Sequence, residues 1–174
     1  MAIPRRVGAA AGILAASLLA YSAVGAIWGM LRPAYTGTLA EGGQVNIDAV
    51  TQSAAFASFG SFVVATGLLA VIVSLSMYVS SPETRGPGML WWLTIVAVAS
   101  AFSFLEVGTL VADLMHRVGD LDQLAEGDRV SVVPGFAPGV GWLAAPFMAA
   151  LSYWCSALVT PEPAPDAPPI QLKA

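Results

Sequence analysis

The stretch Met89–Arg117, MLWWLTIVAVASAFSFLEVGTLVADLMHR, decides the fold of this chain. It opens with a tryptophan pair and continues as an apolar run longer than the ~20 residues that a helix needs to cross a bilayer core. Towards its end it carries Glu106, Asp113 and Arg117. We therefore predict a membrane-spanning helix with ionisable residues near one end. Such residues are the first place to look for a function in a membrane protein.

Composition places the whole chain in the membrane. Of its 174 residues, 57% are hydrophobic and 10% are charged, against roughly 25% charged in an average soluble domain. So few charges cannot solubilise so apolar a chain, which predicts an integral membrane protein. No basic cluster suggests nucleic acid as a partner. The expected partners are other integral membrane proteins and lipids.

Four apolar runs predict an all-α membrane protein, an antiparallel up-down bundle of four transmembrane helices within residues 1–160. The predicted spans are 7–31, 53–79, 89–115 and 140–159. The short, Pro- and Gly-rich linker between the second and third spans predicts that these two helices are adjacent. Pro146 is expected to kink or loosen the fourth helix. A Pro-rich tail, 161–174, follows.

The two longer loops, 32–50 and 116–138, are expected to form a small cap. In the first loop, two β-prone runs flank Gly42 and Gly43, which predicts a hairpin. In the second, the alternating run 129–133 predicts a third strand beside it. Small residues at four-residue spacing, such as Gly25 and Gly29, predict close helix packing.

Residue counts exclude several kinds of redox and metal chemistry. The chain has one cysteine, Cys155, and one histidine, His116. An internal disulfide, a CxxC pair and bis-histidine haem are therefore excluded within one chain. A self-contained transition-metal site is disfavoured, because such sites need several His, Cys or carboxylate ligands. We expect no catalytic, cofactor-binding or metal-binding residues, and no enzyme activity.

The basic residues predict the orientation of the chain. One side of the membrane would carry Arg5, Arg6, Arg85 and Lys173, and the other Arg32, Arg117 and Arg129. Because cytoplasmic loops carry the excess of Lys and Arg, we expect a multi-pass protein of the plasma membrane with both termini cytoplasmic. The acidic loops would then face outside.

The candidate functional residues share one face of the third helix. Glu106, Thr109, Asp113 and Arg117 follow at spacings of three, four and four, and Arg32 at the end of the first helix is the candidate partner. At ~1.5 Å per residue, Glu106 lies roughly 25 Å from Met89, near the edge of the hydrocarbon. Three interpretations remain open: a structural pair with Arg32 or a loop donor, contact with a partner protein or lipid headgroup, or a proton or substrate site.

A series of short motifs resembles a known family. These are Gly25-Ala-Ile-Trp-Gly-Met-Leu-Arg-Pro, Glu41-Gly-Gly-Gln-Val, Arg85-Gly-Pro, Pro134-Gly-Phe and Ala145-Pro146. Their order resembles an actinobacterial family of four-helix integral membrane proteins catalogued as a domain of unknown function. The resemblance covers residues 15–160 and implies a high-GC Gram-positive plasma membrane. Small proteins of this sort are similar to accessory subunits of actinobacterial assemblies, including the cytochrome bc–oxidase supercomplex.

The preferred functional interpretation is a non-catalytic accessory subunit of a larger membrane complex. The first alternative is a small proton-coupled homodimeric transporter that uses Glu106. The second is a cell-envelope assembly factor whose outer loops engage a lipid or glycan enzyme.

Overall fold

Four long helices and a small sheet make up the structure, a computed structural model that describes residues 5–33, 35–39, 45–47, 53–115, 129–132 and 135–161. The helices are α1 Arg5–Leu31, α2 Ala54–Ser80, α3 Pro87–Met115 and α4 Ala144–Val159. With the 3-10 turn that precedes α4, all four are long and apolar enough to cross a membrane. The predicted four-helix membrane fold is confirmed, and each span begins and ends within two residues of its expected position.

A three-stranded antiparallel sheet joins the two longer loops. Its strands are β1 Tyr35–Leu39, β2 Val45–Ile47 and β3 Arg129–Val132, in the order β2-β1-β3. The predicted hairpin and the third strand beside it are therefore both present. We call the end of the bundle that carries these strands the sheet end. The opposite end, where a short turn joins α2 to α3, is called the turn end.

The helices do not pack as the short linker between the second and third spans predicted. α1 packs most extensively against α3, and α2 against α4, while α3 and α4 also share a broad interface. α2 and α3 touch only slightly, so the prediction that they are close neighbours was wrong. The pairing follows the positions of small side chains, which permit close approach, and the length of the connection does not override it.

Glycines bring the backbones of α1 and α3 together. A Cβ atom added at Gly25 would overlap the carbonyl oxygen of Phe104, and one at Gly29 would overlap that of Gly108. The glycine Cα–H groups therefore face carbonyl oxygens across the interface, a geometry that supplies weak hydrogen bonds. Beside them, the Ser22 hydroxyl hydrogen-bonds that of Ser103 at 2.6 Å. The predicted packing role of Gly25 and Gly29 is confirmed.

Small residues also line the contact between α2 and α4. The Ser74 hydroxyl donates to the carbonyl of Ala149 at 2.9 Å, and Ala70 and Ala145 are buried beside it. An interhelical hydrogen bond to a backbone carbonyl requires the two helices to lie close. Both tight pairs are parallel, because each joins alternate helices of a chain that reverses direction at every connection.

Aromatic side chains fill the space between the two tight pairs. Phe62, which is 0% exposed, has its ring centroid 5.4–6.3 Å from those of four other rings, namely Trp28, Phe104, Phe136 and Trp142. From α1, the Tyr21 hydroxyl donates to the carbonyl of Thr66 at 3.1 Å. The Trp28 indole donates to the Ser61 hydroxyl at 2.9 Å. Large side chains thus join α1 to α2 across a gap that backbone packing leaves open.

Pro146 falls in the first turn of α4. A backbone N–H at that position has no intrahelical partner, so proline costs little there. The turn before it, Gly139–Leu143, is a 3-10 helix. The predicted kink or loosening of α4 by Pro146 stays a prediction.

Replacing Gly29 by alanine is expected to destabilise the bundle, because the new methyl group would collide with the backbone of Gly108. Overpacking of this kind costs about 1–3 kcal/mol. Gly12→Ala is the matched control, since a Cβ added at Gly12 meets nothing within 4 Å. Thermal unfolding in detergent, followed by tryptophan fluorescence, should show a lower midpoint for Gly29→Ala only. Equal midpoints for the two variants would contradict this account of the interface.

Candidate functional site at the sheet end

A buried arginine forms the centre of the sheet end. Arg32 follows the last residue of α1 and is 5% exposed. Its guanidinium carbon lies 5.3 Å from the ring centroid of Trp28 and 5.2 Å from that of Phe136. Its Nε donates to the Ser58 hydroxyl at 3.4 Å. The side chain thus connects α1, α2 and the segment that enters α4.

Electrostatics connect this arginine to α3 as well. Burial lowers the pKa of the Arg32 guanidinium, and the negative charge of Asp113 acts in the opposite direction. An arginine remains protonated even after a substantial decrease, so Arg32 is a permanent cation. The π faces of two aromatic rings favour a cation at this distance and offset part of the cost of removing it from water.

Glu106 lies on the outside of the bundle. It follows the buried residue Leu105, and one helical step turns it about 100° away from the core. It is exposed, as are Phe102 and Leu110, which lie one turn before and after it on the same face. Asp113 is exposed as well. We call these four residues the exposed α3 stripe: Phe102, Glu106, Leu110 and Asp113. In a bilayer, most of this stripe faces away from the protein.

The predicted site residues therefore separate into two groups. Arg32 is inside, and the charge that acts on it belongs to Asp113, two turns beyond Glu106. Thr109 uses its hydroxyl within its own helix, donating to the carbonyl of Leu105 at 2.8 Å. Arg117 lies outside the described residues. Of the three interpretations of Glu106, its exposure favours contact with a partner protein or a lipid headgroup.

Sequence reasoning identified Arg32 but missed the residues that surround it. Phe136 lies more than 100 positions away in the chain, and Ser58 and Trp28 come from two different helices. A weak signal was present, because an arginine directly after an apolar helix needs counter-charges or aromatic faces if it folds inward. The same signal also fits a solvated helix end, so the sequence could not distinguish the two.

The interior of the bundle is nearly filled. A cavity between Tyr21, Ser74, Ser100 and Ala149 has a volume of about 10 Å³, which is room for one water molecule at most. Among the residues that the structure describes, no group of three His, Cys, Asp or Glu side chains converges. The Cys155 thiol is free and exposed on α4. The interactions among the described residues of the sheet end and the bundle interior are cation–aromatic contacts, hydrogen bonds and close packing.

Comparison with known proteins finds no matching family model, no matching curated protein and no matching solved structure. The resemblance to an actinobacterial membrane family stays a prediction.

Double-mutant cycles should show which contacts hold Arg32. We expect Arg32 and Phe136 to be coupled by about 1 kcal/mol, because their contact is buried and cation–π contacts gain strength when desolvated. Coupling of Arg32 with Asp113 should be smaller, since Asp113 is exposed and solvent screens its charge. Thermal unfolding of Arg32→Gln, Phe136→Leu, Asp113→Asn and the two double variants measures both couplings. A larger value for the Asp113 pair would show that charge, not stacking, holds the arginine.

Proposed function

We propose that this chain is a non-catalytic accessory subunit of a larger plasma-membrane complex, docked through the exposed α3 stripe. The observation that carries the proposal is the position of Glu106 on the outer surface of the bundle, between exposed apolar side chains of α3. Ionisable residues in membrane helices usually face the interior of the protein or a water-filled cavity. Here a neighbouring helix that covers the stripe would provide that interior.

A carboxylate on an apolar helix surface carries an energetic cost that a partner can offset. A carboxylate at the centre of a bilayer costs about 2.5–3.5 kcal/mol on insertion scales, and less near the interface. A partner helix that offers an arginine, lysine or hydroxyl group to Glu106 would offset this cost. Phe102 and Leu110, 55% and 59% exposed, would supply apolar contact on either side. We therefore expect the partner to be an integral membrane protein with a donor at the same depth.

The inside of the bundle supports a packing role over transport. Its centre contains a cavity of about 10 Å³, far below the ~300–1,000 Å³ of small-molecule sites. The buried Ser74 hydroxyl donates to a carbonyl of α4 and so joins two helices, whereas the buried Thr66 hydroxyl donates to a carbonyl of its own helix. Both hydroxyl groups are thus engaged within the bundle. The small size of the chain and the actinobacterial lineage that the resemblance implies make a respiratory assembly of the cytochrome bc–oxidase type one candidate for the complex concerned.

We also propose that the turn end faces the cytoplasm, with both termini. That side of the chain carries Arg5, Arg6, Arg85 and Lys173, and cytoplasmic loops carry the excess of Lys and Arg. The three-stranded sheet and the Arg32 site would then lie at the outer surface.

Site-specific photo-crosslinking in native membranes tests the docking proposal. A photoreactive amino acid at Leu110 should give one discrete, heavier adduct with another integral membrane protein. The same substitution at Leu68, 62% exposed on α2, is the control for a surface that faces lipid and should give no such adduct. Glu106→Leu should reduce the Leu110 adduct severalfold, whereas Glu83→Gln, a carboxylate change at the turn end, should not.

Two outcomes contradict this proposal. Lack of any protein adduct from Leu110 would mean that lipid covers the stripe. An adduct of twice the mass of the chain would indicate a homodimer, as the transporter alternative requires. Respiratory subunits in the adduct would establish the respiratory version, while enzymes of lipid or glycan synthesis would favour the envelope-assembly alternative.

Cysteine labelling tests the orientation. In a Cys155→Ala background, Thr84→Cys at the turn end should react with a membrane-impermeant maleimide only after the cells are permeabilised. Gly135→Cys, at the sheet end, should react in intact cells. Both positions are exposed, so differences in burial do not explain a difference in labelling. The reverse pattern would invert the proposed topology.

A further inference from the structure

A groove with one polar and one apolar end opens at the turn end, between α3 and α4. Its volume is about 410 Å³, and its walls include Arg85, Leu90, Trp91, Tyr153, Trp154 and Ala157. It is remote from the exposed α3 stripe, which lies towards the other end of the helix. What occupies this groove is therefore a separate question from the docking proposed above.

The polar end of the groove is built around a cation held in place. Arg85 Nε donates to the carbonyl of Tyr78 at 3.0 Å, and the guanidinium carbon lies 4.2 Å from the centroid of the Tyr78 ring. These two contacts use one of the five N–H donors and one face of the guanidinium. The side chain is nonetheless exposed, so its other donors are available to a ligand.

Neighbouring hydroxyls brace this end of the groove. The Tyr153 hydroxyl accepts from the backbone N–H of Gly86 at 3.0 Å, and the Tyr78 hydroxyl donates to that of Thr160 at 2.8 Å. The turn that carries Arg85 is thereby fixed to the ends of α2 and α4. The cation is preorganised, which reduces the entropic cost of binding an anion.

The apolar end of the groove is bordered by two exposed indoles. Trp91 is 66% exposed and Trp154 is 56% exposed, and they lie on the two helices that form the walls. Tryptophan is enriched where the headgroup region meets the hydrocarbon, because its ring is amphipathic. An arginine next to two such rings places a positive charge at headgroup depth with apolar walls leading away from it.

We propose that this groove binds an anionic phospholipid, with the phosphate against Arg85 and an acyl chain between Trp91 and Trp154. Guanidinium matches phosphate geometry because it can donate two parallel hydrogen bonds. Charge complementarity selects an anionic lipid over a zwitterionic one. Glu83, the nearest described carboxylate in the chain, borders a neighbouring groove between the turn and α1, which Arg85 also borders. Glu83 does not line the groove between α3 and α4.

Quenching of tryptophan fluorescence by brominated lipids tests this inference. The full-length protein is reconstituted in phosphatidylcholine vesicles that contain either brominated phosphatidylglycerol or brominated phosphatidylcholine. We expect the anionic lipid to quench with roughly fivefold higher apparent affinity, the value that one basic residue provides at a membrane surface. The double variant Trp91→Phe, Trp154→Phe should abolish the stronger quenching by the anionic lipid. That result would assign the signal to this groove.

Charge variants assign the preference to Arg85. Arg85→Gln should bring quenching by the anionic lipid down to the level of phosphatidylcholine, whereas Arg85→Lys should retain part of the excess. Arg6→Gln, a loss of positive charge at the start of α1 on the same end of the bundle, should leave it unchanged. Unchanged thermal unfolding of Arg85→Lys confirms that the turn is intact.

The proposal is overturned by any of three results. The first is equal quenching by the two lipids in the wild-type protein. The second is stronger quenching by the anionic lipid that persists in Arg85→Gln. The third is a preference for the anionic lipid that added inorganic phosphate abolishes. The last result would identify a site for free phosphate, not for a lipid. None of these results bears on the adduct from Leu110, so the two proposals fail independently.

Discussion

Contact between the backbones of α1 and α3 is the constraint on which the rest of the bundle depends. Gly25 and Gly29 bring α1 so close to α3 that no side chain fits between them. Two large side chains of α1, those of Tyr21 and Trp28, extend towards α2, where they find hydrogen-bond acceptors. One turn after Trp28, the same face of α1 places Arg32 at the sheet end, against the rings of Trp28 and Phe136. A methyl group at either glycine would shift that whole face.

The two tight helix pairs and the aromatic layer between them solve a problem specific to membranes. In lipid, burying an apolar side chain gains little, so helix association depends on close packing and hydrogen bonds. Glycine, alanine and serine provide the close packing in each pair. Phe62 and the rings around it then join the pairs at a larger separation, where shape complementarity and ring geometry provide the contact. Segregation of small and large side chains thus explains why alternate helices pair.

The helices and strands of this fold were easier to predict from the sequence than their arrangement. Length and hydropathy are sufficient for a helix in a bilayer, because every backbone group must be satisfied within it, so the four spans were predictable. Neighbour order depends on which faces carry small residues in three dimensions. Phe56 and Phe62 illustrate the difficulty, since a spacing of six places one 77% exposed and the other 0% exposed. Likewise, the helical face that carries Glu106 was predictable, but its direction relative to the core was not.

The pairing of β1 with β3 has a consequence for how the protein is made. β1 precedes α2, and its partner strand follows α3, with Tyr35 opposite Val132. During synthesis the first hairpin emerges long before β3 exists, so one edge of β1 waits unpaired until the third helix has entered the membrane. Pairing at such sequence separation is entropically slow. Completion of the sheet therefore requires that its two loops lie on the same side of the membrane, which holds when α2 and α3 have both crossed it.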